Sequence, residues 1–108
     1  MSARLASGIW VAAYLRRLQI DNIPAYVLAR GDETAGAVLV KLALLDGTAR
    51  AYLREYDMAL DARVWRVLIE GPEHEVDAAI TRQRRFDPDL WVIEIEDARG
   101  RNLLDSMG

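Results

Sequence analysis

Three short stretches hold the residue types from which binding and catalytic sites are commonly built. Gly31 and Gly36 have the glycine spacing of a phosphate loop, but Ala37-Val38 stand where Lys and Ser/Thr are required, and the segment leads into a strand. Without the ammonium, the hydroxyl and a helix N-terminus there is no phosphate chemistry, and Asp32 and Glu33 would repel the anion. His74-Glu75-Val76-Asp77-Ala78 begins like a zinc-protease helix but has Ala78 where the second His must stand, and His74 is the only His in the chain. Asp87 and Asp89 flank Pro88 as a close carboxylate pair, and Arg84 and Arg85 just before them make a salt-bridged helix stop the simpler expectation. The serines Ser2, Ser7 and Ser106 lie near the ends, outside any nucleophile motif. No catalytic residue, metal site or cofactor is expected.

The elements around these stretches follow from periodicity. Trp10, Val11, Tyr14, Leu15 and Leu18 form one helical stripe, predicting a helix over about 9–21 with Ser7 as candidate N-cap and Pro24 as its stop. Residues 4–8 suit a brief edge strand, and residues 25–30 a strand. Asp46-Gly47 between two alternating apolar runs predicts a hairpin over 36–56 with a two-residue loop. That loop pairs Leu44 with Ala49, Leu42 with Ala51, Val40 with Leu53 and Val38 with Glu55. Residues 57–62 form a short polar crossing and 64–70 a strand. Gly71-Pro72 opens a second helix that carries Glu73, Glu75 and Asp77 early and Arg82, Arg84 and Arg85 late, complementing its dipole. Residues 90–96 form the last strand, able to pair parallel with 63–70. A tail over about 98–108 is expected to be weakly ordered, with Leu103 and Leu104 available to dock.

The fold class is therefore α+β, in the order α-β-β-β-β-α-β: a largely antiparallel sheet of about five strands with two helices packed on one face. The 108 residues make one domain, 1–108, large enough to bury roughly 65% of the unfolded chain's surface. There is no Cys, which excludes disulfides and thiolate chemistry and fits a reducing compartment. A net charge of −3 supplies no basic field for nucleic acid or membrane. Thirteen of the fourteen basic residues are Arg, Lys41 being the one Lys, a bias that a GC-rich genome explains as well as anion recognition does. The apolar run 9–15 is too short to span a membrane and precedes rather than follows Arg16-Arg17, so it is not a signal peptide, and a cytoplasmic location is expected.

If both helices cover one face, the other keeps Lys41, Arg50, Tyr52, Arg54, Tyr56 and Arg66. This is the chemistry of protein interfaces, so the first reading is a non-enzymatic interaction module that self-associates as a homodimer or binds an unidentified protein partner. The second is single-stranded nucleic acid or nucleotide binding on the same Arg/Tyr face, against which the acidic balance argues. The third is an enzyme without a recognisable motif. Arg84, Arg85, Asp87 and Asp89 form a secondary candidate surface.

Four segments together carry a resemblance: Trp10-Val11-Ala12-Ala13-Tyr14-Leu15-Arg16-Arg17, Ile23-Pro24-Ala25, Arg30-Gly31-Asp32 with Ala35-Gly36-Ala37-Val38, and Gln83-Arg84-Arg85-Phe86-Asp87-Pro88-Asp89-Leu90-Trp91. Over nearly its whole length the chain resembles a family of small uncharacterised alphaproteobacterial proteins, domain of unknown function family 1491. The resemblance implies a compact bacterial cytosolic protein and brings no activity or catalytic residue with it.

Overall fold

The computed structural model describes residues 5–107. Helix α1 spans Ser7–Ile20, followed by β1 (Ala25–Ala29), β2 (Val38–Ala43), β3 (Thr48–Asp57), β4 (Ala62–Pro72), helix α2 (Glu73–Phe86), β5 (Trp91–Glu96) and a short 3-10 turn over Leu104–Met107. The expected class and element order are those observed. The brief strand expected over 4–8 is not formed at Ser7 and Gly8, which are already helical; Arg4 lies outside the described residues. Ser7 does not cap α1. It is the first helical residue, and its hydroxyl donates to the Gly36 carbonyl at 2.6 Å, tying the helix start to the loop before β2.

The sheet order is β1-β5-β2-β3-β4. All neighbours are antiparallel except β2 and β5, which pair parallel with Val40 opposite Ile93. The parallel partner of the last strand is thus β2, not the strand at 63–70. The excursion through β3, β4 and α2 returns the chain to β2's free side, where β5 inserts between β1 and β2.

The helices lie on opposite faces, which corrects the expectation that both cover one. Trp10, Val11, Tyr14 and Leu18 of α1 pack with Val38, Val40, Leu42, Tyr52, Trp91, Ile93 and Ile95. Val76 and Ile80 of α2 pack with Leu39, Ala49, Ala51 and Val92. The physical reason is legible in β2, whose six residues are all buried. A central strand covered on both sides reads as a continuous apolar run rather than an alternating one. Leu39, Val40 and Leu42 are fully buried, each contributing about 2 kcal/mol relative to exposure.

The hairpin forms, but one residue out of the expected register. Leu39 opposes Leu53, Val40 opposes Tyr52 and Leu42 opposes Arg50. The loop has three residues, Leu45, Asp46 and Gly47, closed by the Leu44 amide donating to the Thr48 carbonyl. Leu45 and Gly47 both take positive φ, 63° and 90°. The Asp46 carboxylate accepts from the Thr48 amide at 2.9 Å and hydroxyl at 2.5 Å, which stabilises the wider turn. A one-residue slip exchanges faces. Ala49, Ala51 and Leu53 therefore sit under α2, and Tyr52 enters the core under α1.

The segment after β5 packs back onto α1. Leu104 is buried in the α1-side core with Leu103 beside it, and the Tyr14 hydroxyl donates to the Asn102 carbonyl at 2.8 Å. Tyr14→Phe leaves that carbonyl short of its donor, so the variant is expected to lose about 1–2 kcal/mol in a urea titration. Proteolysis should then cleave the C-terminal segment before the sheet; equal stability and equal cleavage would contradict the role given to this hydrogen bond.

Candidate functional site

Alternation within β3 alone places Arg50, Tyr52, Arg54 and Tyr56 on the α1 side of the sheet. On that side α1 packs over the β5–β2 half and leaves much of the β3–β4 half open. Tyr52 is largely sealed beneath the helix, whereas Tyr56 is 57% exposed. The Arg54 guanidinium lies 5.9 Å from the centroid of Trp65, a cation–π contact. Trp65 in turn meets Trp10 at 5.5 Å, and Trp10 stacks on Tyr14 at 5.0 Å. An aromatic floor thus runs from the core out to the open half-face. Arg50 is paired with Glu70 across the β3–β4 ladder at 2.8 Å.

β3 and β4 are longer than β2, and beyond the Leu39–Leu53 pair they continue as a two-stranded arm. Tyr56, Met58 and Leu60 stand exposed on it, with Val67 exposed nearer the sheet. The Tyr56 hydroxyl bonds the Asp61 carboxylate, and the Leu60 amide donates to Asp57 at 3.1 Å, which shape the arm's tip. The expected short polar crossing over 57–62 is instead the tip of this arm and carries part of its exposed surface. The available signal was two large apolar residues, Met58 and Leu60, inside a turn that needs neither.

Two members of the expected face belong to the other side. Arg66 opposes Leu53 and reaches the carboxylates of Asp57 and Glu55. Lys41 is 3% exposed, and its ammonium meets Asp77 at 2.7 Å, Glu73 at 2.7 Å and Glu94 at 2.9 Å. Burial, the largest influence on this group, works against its charge. The hydrogen bonds it donates to Asp77, Glu73 and Glu94 outweigh it, so the ammonium titrates above the ordinary lysine range. Lys41 therefore clamps the first turn of α2 onto β2 and β5 and is not part of a contact surface.

The secondary surface also divides. Asp89 and Asp87 belong to a structural joint: the Asp89 amide donates to the Asp87 carboxylate, and the Asp89 carbonyl accepts from the Asp32 amide at 3.0 Å. The Trp91 indole donates to the Asp32 carbonyl at 2.8 Å while Arg30 lies over its ring. The Arg30–Gly36 and 83–91 segments are thus brought together by packing. Arg84 and Arg85 stay exposed, and with Thr81 and Pro88 they line a shallow depression at the end of α2.

Both outer strands of the sheet are irregular. Leu28 is the extra residue of a bulge in β1, and Leu68 of one in β4. Bulged edges bend away from further strand pairing. No helix among the described residues is long and apolar enough to cross a membrane.

Comparison with known proteins places this geometry in context. The family described as "Protein of unknown function (DUF1491)" matches residues 5–105. The crystal structure of a DUF1491 family protein from Caulobacter crescentus CB15 is 41% identical, with a TM-score of 0.82 over 93% of this chain and 92% of that one. An NMR structure of a DUF1491 family protein from the same organism is 40% identical, with a TM-score of 0.83 over 95% and 94%. The solution structure of a protein from A. tumefaciens is 34% identical, with a TM-score of 0.74 over 87% and 86%. A search of curated proteins finds no match to this chain.

Proposed function

The chain belongs to the DUF1491 family, whose function is unknown, and from that premise we propose that it is a non-enzymatic protein-interaction module of the cytoplasm. Its contact surface is the open β3–β4 half of the α1-side face together with the overhanging arm. The observation that carries this reading is that one strand pair exposes Tyr56 and Val67 to either side of the Trp65–Arg54 contact, and Met58 and Leu60 on the arm beyond it. Exposed apolar side chains scattered singly need no explanation, but four carried by one strand pair that also presents Trp and Arg have the composition of an interface core. The bulges at β1 and β4 favour a face over edge-to-edge strand pairing as the mode of contact. The nucleic-acid alternative loses support from the pairing of Arg50 with Glu70 and of Arg66 with Asp57, which neutralises charge that phosphates would need.

The test is affinity capture from an alphaproteobacterial lysate with the native chain and with the triple variant Tyr56→Ser, Met58→Ser, Leu60→Ser, read by quantitative mass spectrometry. All three side chains are exposed, so the variant should melt within a few degrees of the native protein. A protein retained by the native chain and depleted at least tenfold from the variant is the expected result. If light scattering shows a dimer that the variant loses, the captured partner is a second copy. Identical sets of retained proteins, with both chains monomeric, would remove the arm as the contact surface.

A further inference from the structure

Past the Leu39–Leu53 pair the arm runs on for four residue pairs, from Arg54–Trp65 to Asp57–Ala62, with no third strand beside it among the described residues. A two-stranded ribbon alone is marginal in water and gains stability by packing a face on something. The two faces of this ribbon are unlike. On the α2 side Arg66 reaches the carboxylates of Glu55 and Asp57, so that face satisfies itself. On the α1 side Tyr56 and Val67 are 57% and 50% exposed, to either side of the Trp65–Arg54 contact. Met58 and Leu60 stand at the tip, 85% and 66% exposed.

We infer that this face is covered by the same face of a second copy of the chain, the two arms lying antiparallel about a two-fold axis. The inference rests on the arm being the contact surface, as proposed above, and names its occupant. An occupant must bring an apolar knob to the open β3–β4 half-face and a flat apolar surface to the arm. This chain carries both, side by side on one face of its sheet. The Met58–Leu60 tip is the knob, and Trp65 with Val67 is the flat surface at the edge of what α1 covers. Laid antiparallel, each tip reaches the other arm's base, so both requirements are met twice. The contact then closes at two copies, as an isologous interface does. Charge fits the same arrangement. On this face Arg54 lies at the base and Asp61, bonded to the Tyr56 hydroxyl, at the tip. Reversing one arm on the other sets carboxylate against guanidinium at both ends, whereas parallel arms would set like on like. Residues 54–67 hold three arginines and three carboxylates, so two copies of a chain of net charge −3 meet at a neutral patch. Covering the four exposed apolar side chains on each copy removes about 1,000 Å² in all, which reaches the lower bound for a specific contact.

The test is sedimentation equilibrium of the native chain over rising concentration, with the Met58→Ser/Leu60→Ser variant alongside. A monomer–dimer equilibrium is expected for the native chain, with a dissociation constant at least tenfold weaker in the variant at unchanged melting temperature. In a mixture of ¹³C-labelled and unlabelled native chain, Overhauser contacts filtered for pairs between copies should join Met58 and Leu60 to Trp65 and Val67 of the partner subunit. Three results would overturn the inference: a native chain monomeric at every concentration, a dimer that the variant keeps, or contacts between copies that lie outside residues 54–67. A monomer that still retains a host protein, lost with the Tyr56, Met58 and Leu60 serine variant, overturns the second copy alone and leaves the contact surface standing. A monomer that retains nothing through the arm removes both.

Discussion

Lys41→Met should lower the unfolding free energy by about 2–4 kcal/mol at pH 7, one of the two largest effects expected in this protein. Methionine fills nearly the same volume, so the loss is electrostatic. It leaves Glu73, Asp77 and Glu94 facing one another without the ammonium that each now meets within 2.9 Å. Removing one partner of a buried ion pair usually costs more than this. Here Glu73 and Asp77 are about half exposed and can recover water, which tempers the penalty. The pH dependence has a definite sign. The folded-state pKa of Lys41 is raised, so its stabilising contribution is complete below the ordinary lysine value of about 10.4 and is lost only as pH rises through the higher folded value. Urea titrations should show a constant gap between native and variant proteins from pH 7 to 9, narrowing above about pH 10.5. A gap already closing at pH 8, or none at pH 7, would contradict the clamp.

Gly31→Ala should be comparably damaging, at about 3 kcal/mol or more. A Cβ at Gly31 falls 2.1 Å from the Asp89 carbonyl oxygen and 2.7 Å from the Trp91 ring and backbone nitrogen. Relief requires moving backbone on both sides of the joint, and with it the Trp91 indole bond to Asp32. Gly47 offers the internal contrast. It needs its positive φ of 90°, but a Cβ there meets nothing within 4 Å, so Gly47→Ala should cost only about 1 kcal/mol of conformational strain. Thermal melts should rank Gly31→Ala well below Gly47→Ala, with the Trp91 indole proton signal shifted or lost in the first alone. Equal melting temperatures would mean the joint yields more readily than its spacing implies.

How much of this was legible in the sequence depended on whether a feature was local. Arg50, Arg54 and Tyr56 share a face because alternation within one strand needs no register, and that placement follows from spacing alone. Pairing across the hairpin depended on the loop. Nothing in a leucine announces a φ of 63°, so spacing alone puts Leu45 in the strand, which shifts the register by one and turns Tyr52 to the surface. The helices' placement was obscured for a related reason. In 38–43 the only polar residue is Lys41, and taking it as a solvent-facing position turned a strand buried on both sides into one with an open face. A lone lysine in a continuous apolar run is better taken as a buried cation awaiting carboxylates. Two of these, Glu73 and Asp77, are spaced four apart on α2, while Glu94 comes from a strand whose parallel pairing with β2 joins residues distant in sequence. The arm emerged only with three-dimensional strand lengths, since β3 and β4 overhang β2 by an amount that no local pattern encodes.

The central claim is that the β3–β4 arm, and not the clamped α2 side, carries the principal contact. It is tested most directly by recording amide spectra of the ¹⁵N-labelled chain in buffer and in unlabelled host lysate, with no partner identified beforehand. The account predicts selective loss of intensity at residues 54–67, abolished by the Tyr56, Met58 and Leu60 serine variant. Arm signals that keep their full intensity in lysate, or that fade equally in the variant, would contradict it.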